Sequence, residues 1–214
     1  MKDFKKIFFC NFEMFWTIII MDLLLKNVTI VDSKSSLNFQ KRDILIVNGI
    51  IKKISKKIKI NDINTIEEKN LHVSNGWFDS SVCFGEPGYE ERETIENGLN
   101  TAALSGFTGV SLNPNTHPFS DSIASISHLI NSSINHPTKI HPISCLTINQ
   151  EGKKMCELFD LHNHGAIGHF DYKIPIKDSG LLETALKYSQ RFDGIIFSFP
   201  HDNTFNGNNS INES

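Results

Sequence analysis

The chain has 214 residues, 39% of them hydrophobic, and a formal net charge of -3, so it holds enough apolar material for a sizeable core and shows no basic excess pointing to nucleic acid or a membrane surface. Its four cysteines, Cys10, Cys83, Cys145 and Cys156, form no C-x-x-C pair, and neither a disulfide framework nor a structural zinc knuckle is indicated. A reducing cytoplasm is the expected compartment.

At the N-terminus, Lys2, Lys5 and Lys6 precede the apolar stretch Ile7 to Phe12 in the order of a signal peptide. Asn11 and Glu13 interrupt that stretch, and Met14 to Met21 falls short of the ~20 residues needed to cross a bilayer. Met21 directly precedes a strand pattern, so residues 1–20 are expected to be an upstream extension. Leu23 to Val31 and Ile44 to Ile54 are rich in β-branched residues, and the second run contains Asn48-Gly49, the dipeptide of a type I′ hairpin turn. A small antiparallel β domain is expected over 21–73.

From Gly76 the pattern changes to short apolar strands alternating with helical segments. Strands are expected at 77–84, 107–113, 139–146, 166–171 and 194–199, and helices near 91–105, 120–134, 152–164 and 179–192. That alternation indicates βαβ units and a parallel sheet. Ser120 and Asp121 are candidate caps for the second helix, and Gly106 and Gly165 stand just past the first and third. After the first strand comes FGEPGYEE, with a turn at Glu86-Pro87-Gly88 and the acidic run Glu90, Glu91, Glu93 suited to a helix N-terminus. No glycine-rich phosphate turn is present there, so the α/β pattern favours about five units of a partial (β/α)8 TIM barrel over 74–202. Residues 203–214 form a polar, Asn-rich tail.

Several motifs, in order and at matching spacing, resemble those of the dihydroorotases, cyclic amidohydrolases of the amidohydrolase superfamily. The segment NGWFDSSVCFGEPG at 75–88 is similar to the family's first barrel strand, P-G-F-x-D-x-H-x-H-x-R-E-P-G, with Asp79, Phe84, Glu86, Pro87 and Gly88 in place. Gly106 to Gly109 with Asn113-Pro-Asn-Thr116 resembles the second strand, Gly165-Ala-Ile leading to Asp171 and Pro175 the fourth, and Ser198-Phe-Pro-His-Asp202 the fifth. The resemblance spans Met21 to the C-terminus and corresponds to the N-terminal half of the family.

The resemblance implies interconversion of N-carbamoyl-aspartate and dihydroorotate in de novo pyrimidine biosynthesis, with one or two zinc ions as cofactor. Zinc requires three or four N, O or S donors at ~2.0–2.3 Å and brings bound water toward a pKa of ~7. Here the H-x-H positions are Ser81 and Cys83, the fifth-strand histidine position is Phe199, and the carboxylate-gripping arginine is Gly85. Asp171, at a family metal position, and Asn115, at a substrate-contacting position, are retained. The resemblance therefore implies weak zinc binding or none. Because alternate residues of a strand share a face, Cys83, His169, Asp171 and His201 form an alternative, relocated ligand set. His162 and His164 suit the C-terminal dipole of the third helix, while His72, His117, His128, His136 and His141 are expected to be exposed or locally hydrogen-bonded. Cys145 and Cys156 suit core positions.

Three readings follow from the resemblance and the substitutions. The chain is a dihydroorotase, working or impaired, or a fragment that works when a C-terminal half is supplied by another chain. Alternatively it is a non-catalytic partner of aspartate transcarbamoylase, as some homologues without metal ligands are. The third reading is a truncated, decayed gene product. No nucleic-acid or membrane partner is expected in any of them.

Overall fold

A computed structural model describes residues 22–201; the expected extension at 1–20 and the tail at 203–214 lie outside them. The chain divides between Gly76 and Trp77 into two compact units.

In the first unit, β1 (Leu23–Val31), β2 (Lys41–Val47) and β3 (Ile50–Ser55) form an antiparallel meander. Asn48 and Gly49 join β2 to β3 at φ values of 53° and 69°, the paired positive angles that a type I′ turn demands. Two short strands, β4 (Asn64–Ile66) and β5 (His72–Ser74), then add in parallel to the free edge of β1. The unit is thus a mixed sheet whose antiparallel part is the expected hairpin. Alternate residues Leu23, Leu25, Val28 and Ile30 pack with Ile44 and Ile46 on its apolar face. The buried Asp43 carboxylate accepts from Asn27 N (2.9 Å) at the bulge in the β1–β2 pairing and from Ile58 N (2.8 Å) in the segment after β3.

The second unit carries a parallel sheet in the order β6 (Trp77–Val82), β7 (Phe107–Leu112), β8 (Lys139–Ser144) and β9 (Gly168–His169). Connecting helices are α1 (Ile95–Leu104), α2 (Ile123–Ser132) and α3 (Leu158–Asn163), with α4 (Ser179–Ser189) following β9. Sequential parallel strands joined by helices are the βα units of a partial (β/α)8 barrel. One face of the sheet is apolar and packs on the helices: Val110, Leu112 and Ile140 meet Ile95, Leu99 and Leu129. Gly98 permits that contact, since a Cβ there would lie 2.4 Å from the Phe84 ring.

Several boundaries differ from the sequence expectation, each because a hydrogen bond claims the residues. The first helix starts at Ile95 rather than 91 because Gly85 N and Glu86 N donate to Glu93 O at 2.9 and 3.1 Å, holding 85–93 as a loop. The Glu86 carboxylate then accepts from Ile95 N (2.7 Å), and Thr94 is the N-cap. For α2 the cap is Ser122, whose hydroxyl accepts from Ser125 N. Neither Ser120 nor Asp121 caps it: the Ser120 carbonyl accepts from Cys145 N and the Asp121 carboxylate from Asn149 N. The third helix is confined to 158–163, because 146–156 folds back on itself through Ile148 N to Lys154 O and Cys156 N to Leu146 O. The segment 194–199 is not a regular strand. It touches β9 through one parallel bridge, His169 with Ile196, because the chain turns away after Phe170 with Ile174 N donating to Asp171 O.

Candidate functional site

The C-terminal ends of parallel strands are where a barrel presents chemistry, and here the ends of β6 and β7 meet the segment after β9. Ser81 and Cys83 are exposed at the end of β6. Asn113, just past β7, is 2% exposed, and its side-chain amide donates to Val82 O (3.1 Å), Ser81 Oγ (3.0 Å) and Cys83 Sγ (3.5 Å). Tyr172 comes close to the same place, near enough to the Cys83 thiol to be affected by it. That thiol and partial burial raise the Tyr172 hydroxyl above its ordinary pKa, against the opposing pull of Lys173, whose ammonium lies 5.2 Å from the tyrosine ring. The side chains of Ser81, Cys83, Asn113 and Tyr172 offer hydroxyl, thiol and amide groups, and the adjoining carboxylate, Asp79, accepts from Ser81 N at 3.0 Å.

Asp171 and His169 belong to a different environment. Asp171 is 1% exposed, and its carboxylate accepts from Leu146 N and Thr147 N, both at 2.9 Å, and from the Thr147 hydroxyl. Burial pushes its pKa up while those donors hold the ionised form. It therefore works as an anchor for the turn after β8. His169 is fully buried, with Nδ1 2.7 Å from Ser144 Oγ and its ring edge-on to Phe192 at 6.2 Å, in the layer between sheet and helices. Burial is the chief reason its pKa falls to about 4. His201 stacks against Phe199 with centroids 5.6 Å apart. The set Cys83, His169, Asp171 and His201 thus does not converge, and among the described residues no group of three or more His, Cys, Asp or Glu side chains is placed to hold a metal ion.

Gly85 occupies the arginine position of the motif, and its backbone admits no side chain: a Cβ would lie 1.8 Å from Tyr89 O. Asn115 is half-buried, and its Oδ1 is buried without a hydrogen-bond partner. The preceding carbonyl, Pro114 O, accepts from the buried Gln150 amide. Sequence reasoning singled out neither Asn113, Tyr172 nor Gln150. Tyr172 lies in the turn after β9, where strand alternation gives no signal. Of the histidines, His164 does bond the Asp160 carbonyl at the end of α3, and His136 is buried between Thr138 and Asn100.

The family described as dihydro-orotase-like matches residues 72–214. The chain belongs to this family. Among curated relatives, the dihydroorotase of Ruminiclostridium cellulolyticum is 34% identical over 183 residues, which are 85% of this chain and 42% of the relative. The dihydroorotase of Acetivibrio thermocellus is 34% identical over 181 residues, 84% of this chain and 42% of the relative. The chain therefore spans less than half the length of these dihydroorotases. Among solved structures, the L-hydantoinase (dihydropyrimidinase) from Arthrobacter aurescens superposes with a TM-score of 0.61 at 17% identity, covering 82% of this chain and 40% of that one. A crystal structure of a dihydroorotase gives 0.56 at 14% identity, with coverage of 82% and 50%. These likenesses establish the barrel fold of a dihydroorotase-family protein.

Zinc, which family membership implies, does not fit the residues present. A cation needs lone pairs, and at the two H-x-H positions the Asn113 amide aims N–H groups at the Ser81 oxygen and the Cys83 sulfur.

Proposed function

We propose that this chain serves de novo pyrimidine biosynthesis as a dihydroorotase-type protein whose own residues do not interconvert N-carbamoyl-aspartate and dihydroorotate. The observation that carries the proposal is the bonding of Asn113 to both residues at the family's ligand positions. Gly85 supports it, because a loop that leaves no room for a Cβ cannot present an arginine to a substrate carboxylate.

The same reading includes further βα units, on this or another polypeptide, that complete the barrel. Among the described residues of the second unit β6 pairs with β7 alone, and Trp77 and Phe78 on it are 60% and 51% exposed. Toward the other edge, Ile195 and Phe197 are 54% and 36% exposed. Parallel sheets are ordinarily covered, and open edges with exposed aromatic side chains are sites for further pairing.

The test is carbamoyl-aspartate cyclisation with zinc added, for the chain alone and mixed with the C-terminal half of a related dihydroorotase. We expect no turnover above background in either sample, and co-elution of the two halves on size exclusion. Turnover by the chain alone overturns the catalytic part of the proposal.

A further inference from the structure

We infer that the C-terminal end of this barrel sheet is closed by a metal-free brace centred on Asn113, standing where family membership would put a metal centre. The inference rests on the functional reading only in taking 81 and 83 as the family's ligand positions.

The orientation of the Asn113 amide follows from its surroundings. Its backbone N–H donates to Val82 O at 3.0 Å, and the side-chain Nδ2 donates to the same carbonyl at 3.1 Å. A carbonyl oxygen only accepts, so the amide nitrogen, not its oxygen, must face β6. With that contact fixed, the amide also reaches Ser81 Oγ at 3.0 Å and Cys83 Sγ at 3.5 Å. These bonds tie the end of β6 to the end of β7, and the Tyr172 side chain, from the segment following β9, lies near Cys83. Two strand ends that a shared metal would join are joined here by side-chain hydrogen bonds.

Polarity rather than spacing keeps a cation out. Two ligands of a tetrahedral zinc, at ~2.0 Å for oxygen and ~2.3 Å for sulfur, stand about 3.5 Å apart. The Asn113 nitrogen and the Cys83 sulfur are separated by 3.5 Å. An acceptor oxygen in place of that nitrogen would therefore make a ligand pair with Cys83, and a donor N–H cannot. Ser81 and Cys83 are exposed, so access does not limit the ion.

The experiment uses the full chain and follows thermal unfolding and bound zinc by elemental analysis. In the wild type, a chelator and added zinc both leave Tm unchanged, and zinc after dialysis is far below one per chain. Asn113→Leu lowers Tm by about 3–8 °C, the range for losing these bonds and exposing their partners in a domain of this size. The double variant Ser81→His with Asn113→Asp, which reverses the polarity, retains about one zinc per chain and gains a zinc-dependent rise in Tm. Near-stoichiometric zinc in the wild type that disappears in Cys83→Ala overturns the inference, as does an Asn113→Leu protein with wild-type Tm. If Asn113→Leu does not fold, the double variant decides: no zinc response beyond that of the wild type overturns the argument from polarity. Turnover in the cyclisation assay with this metal-free behaviour intact would count against the functional reading and leave the brace standing.

Discussion

Asp171 and Tyr172 are consecutive residues that serve separate environments: the carboxylate of Asp171 holds the turn at Leu146 and Thr147, while the side chain of Tyr172 lies near Cys83 at the candidate site. The chain turns here, with Ile174 N donating to Asp171 O, and the two side chains part at the start of that turn. The acid retained at the family's fourth-strand metal position is the structural one, and the residue near Cys83 is a tyrosine.

Replacing the anchor should therefore cost stability without touching metal content. Asp171→Ala leaves two buried backbone N–H groups and the Thr147 hydroxyl without an acceptor, and we expect a loss of about 2–4 kcal/mol. Urea unfolding of the variant, with zinc measured in parallel, checks both halves; a stability within 0.5 kcal/mol of wild type, about the scatter of a surface substitution, would refute the anchoring role.

Restoring imidazoles alone should fail to restore catalysis. In Ser81→His, Cys83→His, Phe199→His, Tyr172 still occupies the third side of the cluster and Gly85 still offers no arginine. The missing charge-assisted contact is worth about 1.5–3 kcal/mol, or roughly ten- to a hundredfold in rate. We expect added Tyr172→Asp to tighten zinc binding at least tenfold over the triple variant, with cyclisation still at background when the chain is assayed alone. Equal zinc affinity with and without Tyr172→Asp would show that position 172 does not face the site.

The loop after β6 should tolerate nothing larger than glycine at 85. Gly85→Ala forces a Cβ to within 1.8 Å of a backbone oxygen, so the loop must open and the predicted cost exceeds about 2 kcal/mol. Gly106→Ala meets open space and suffers only from its φ of 87°, at about 1 kcal/mol. Chemical denaturation of the two variants side by side gives the comparison, and a Gly85→Ala protein no less stable than Gly106→Ala would contradict the loop geometry.

Stability should fall as the pH drops below about 6.5. His169 is buried with its pKa lowered to about 4 from an ordinary 6.5, so between these values the unfolded chain takes up a proton that the folded one refuses. The contribution is fully present above pH 6.5 and is lost as pH falls toward 4, to the extent of about 3 kcal/mol. Burial lowers His136 and His141 in the same direction, so they share the slope. Urea midpoints from pH 7 to 4 should fall steadily in the wild type and more gently in Ser144→Ala, His169→Phe; parallel curves would assign the slope elsewhere.

By itself the sequence determined the family, through motifs whose order and spacing survive substitution, and the strand–helix alternation from Gly76 onward. It also determined the Asn48-Gly49 hairpin, because the two positive φ values are a local requirement that few residue pairs meet. Only the tertiary structure decided what the substituted positions do. The donor of a long-range hydrogen bond is not encoded near its acceptor, and Asn113 reaches Ser81 across 32 residues of chain. The same holds at the edges of elements: the start of α1 depends on Glu93 O and the Glu86 carboxylate, and the lone bridge at Ile196 depends on where the chain leaves β9. Periodicity reports which face is apolar, whereas the partner of each buried polar group is settled only when distant segments are brought to hydrogen-bonding distance.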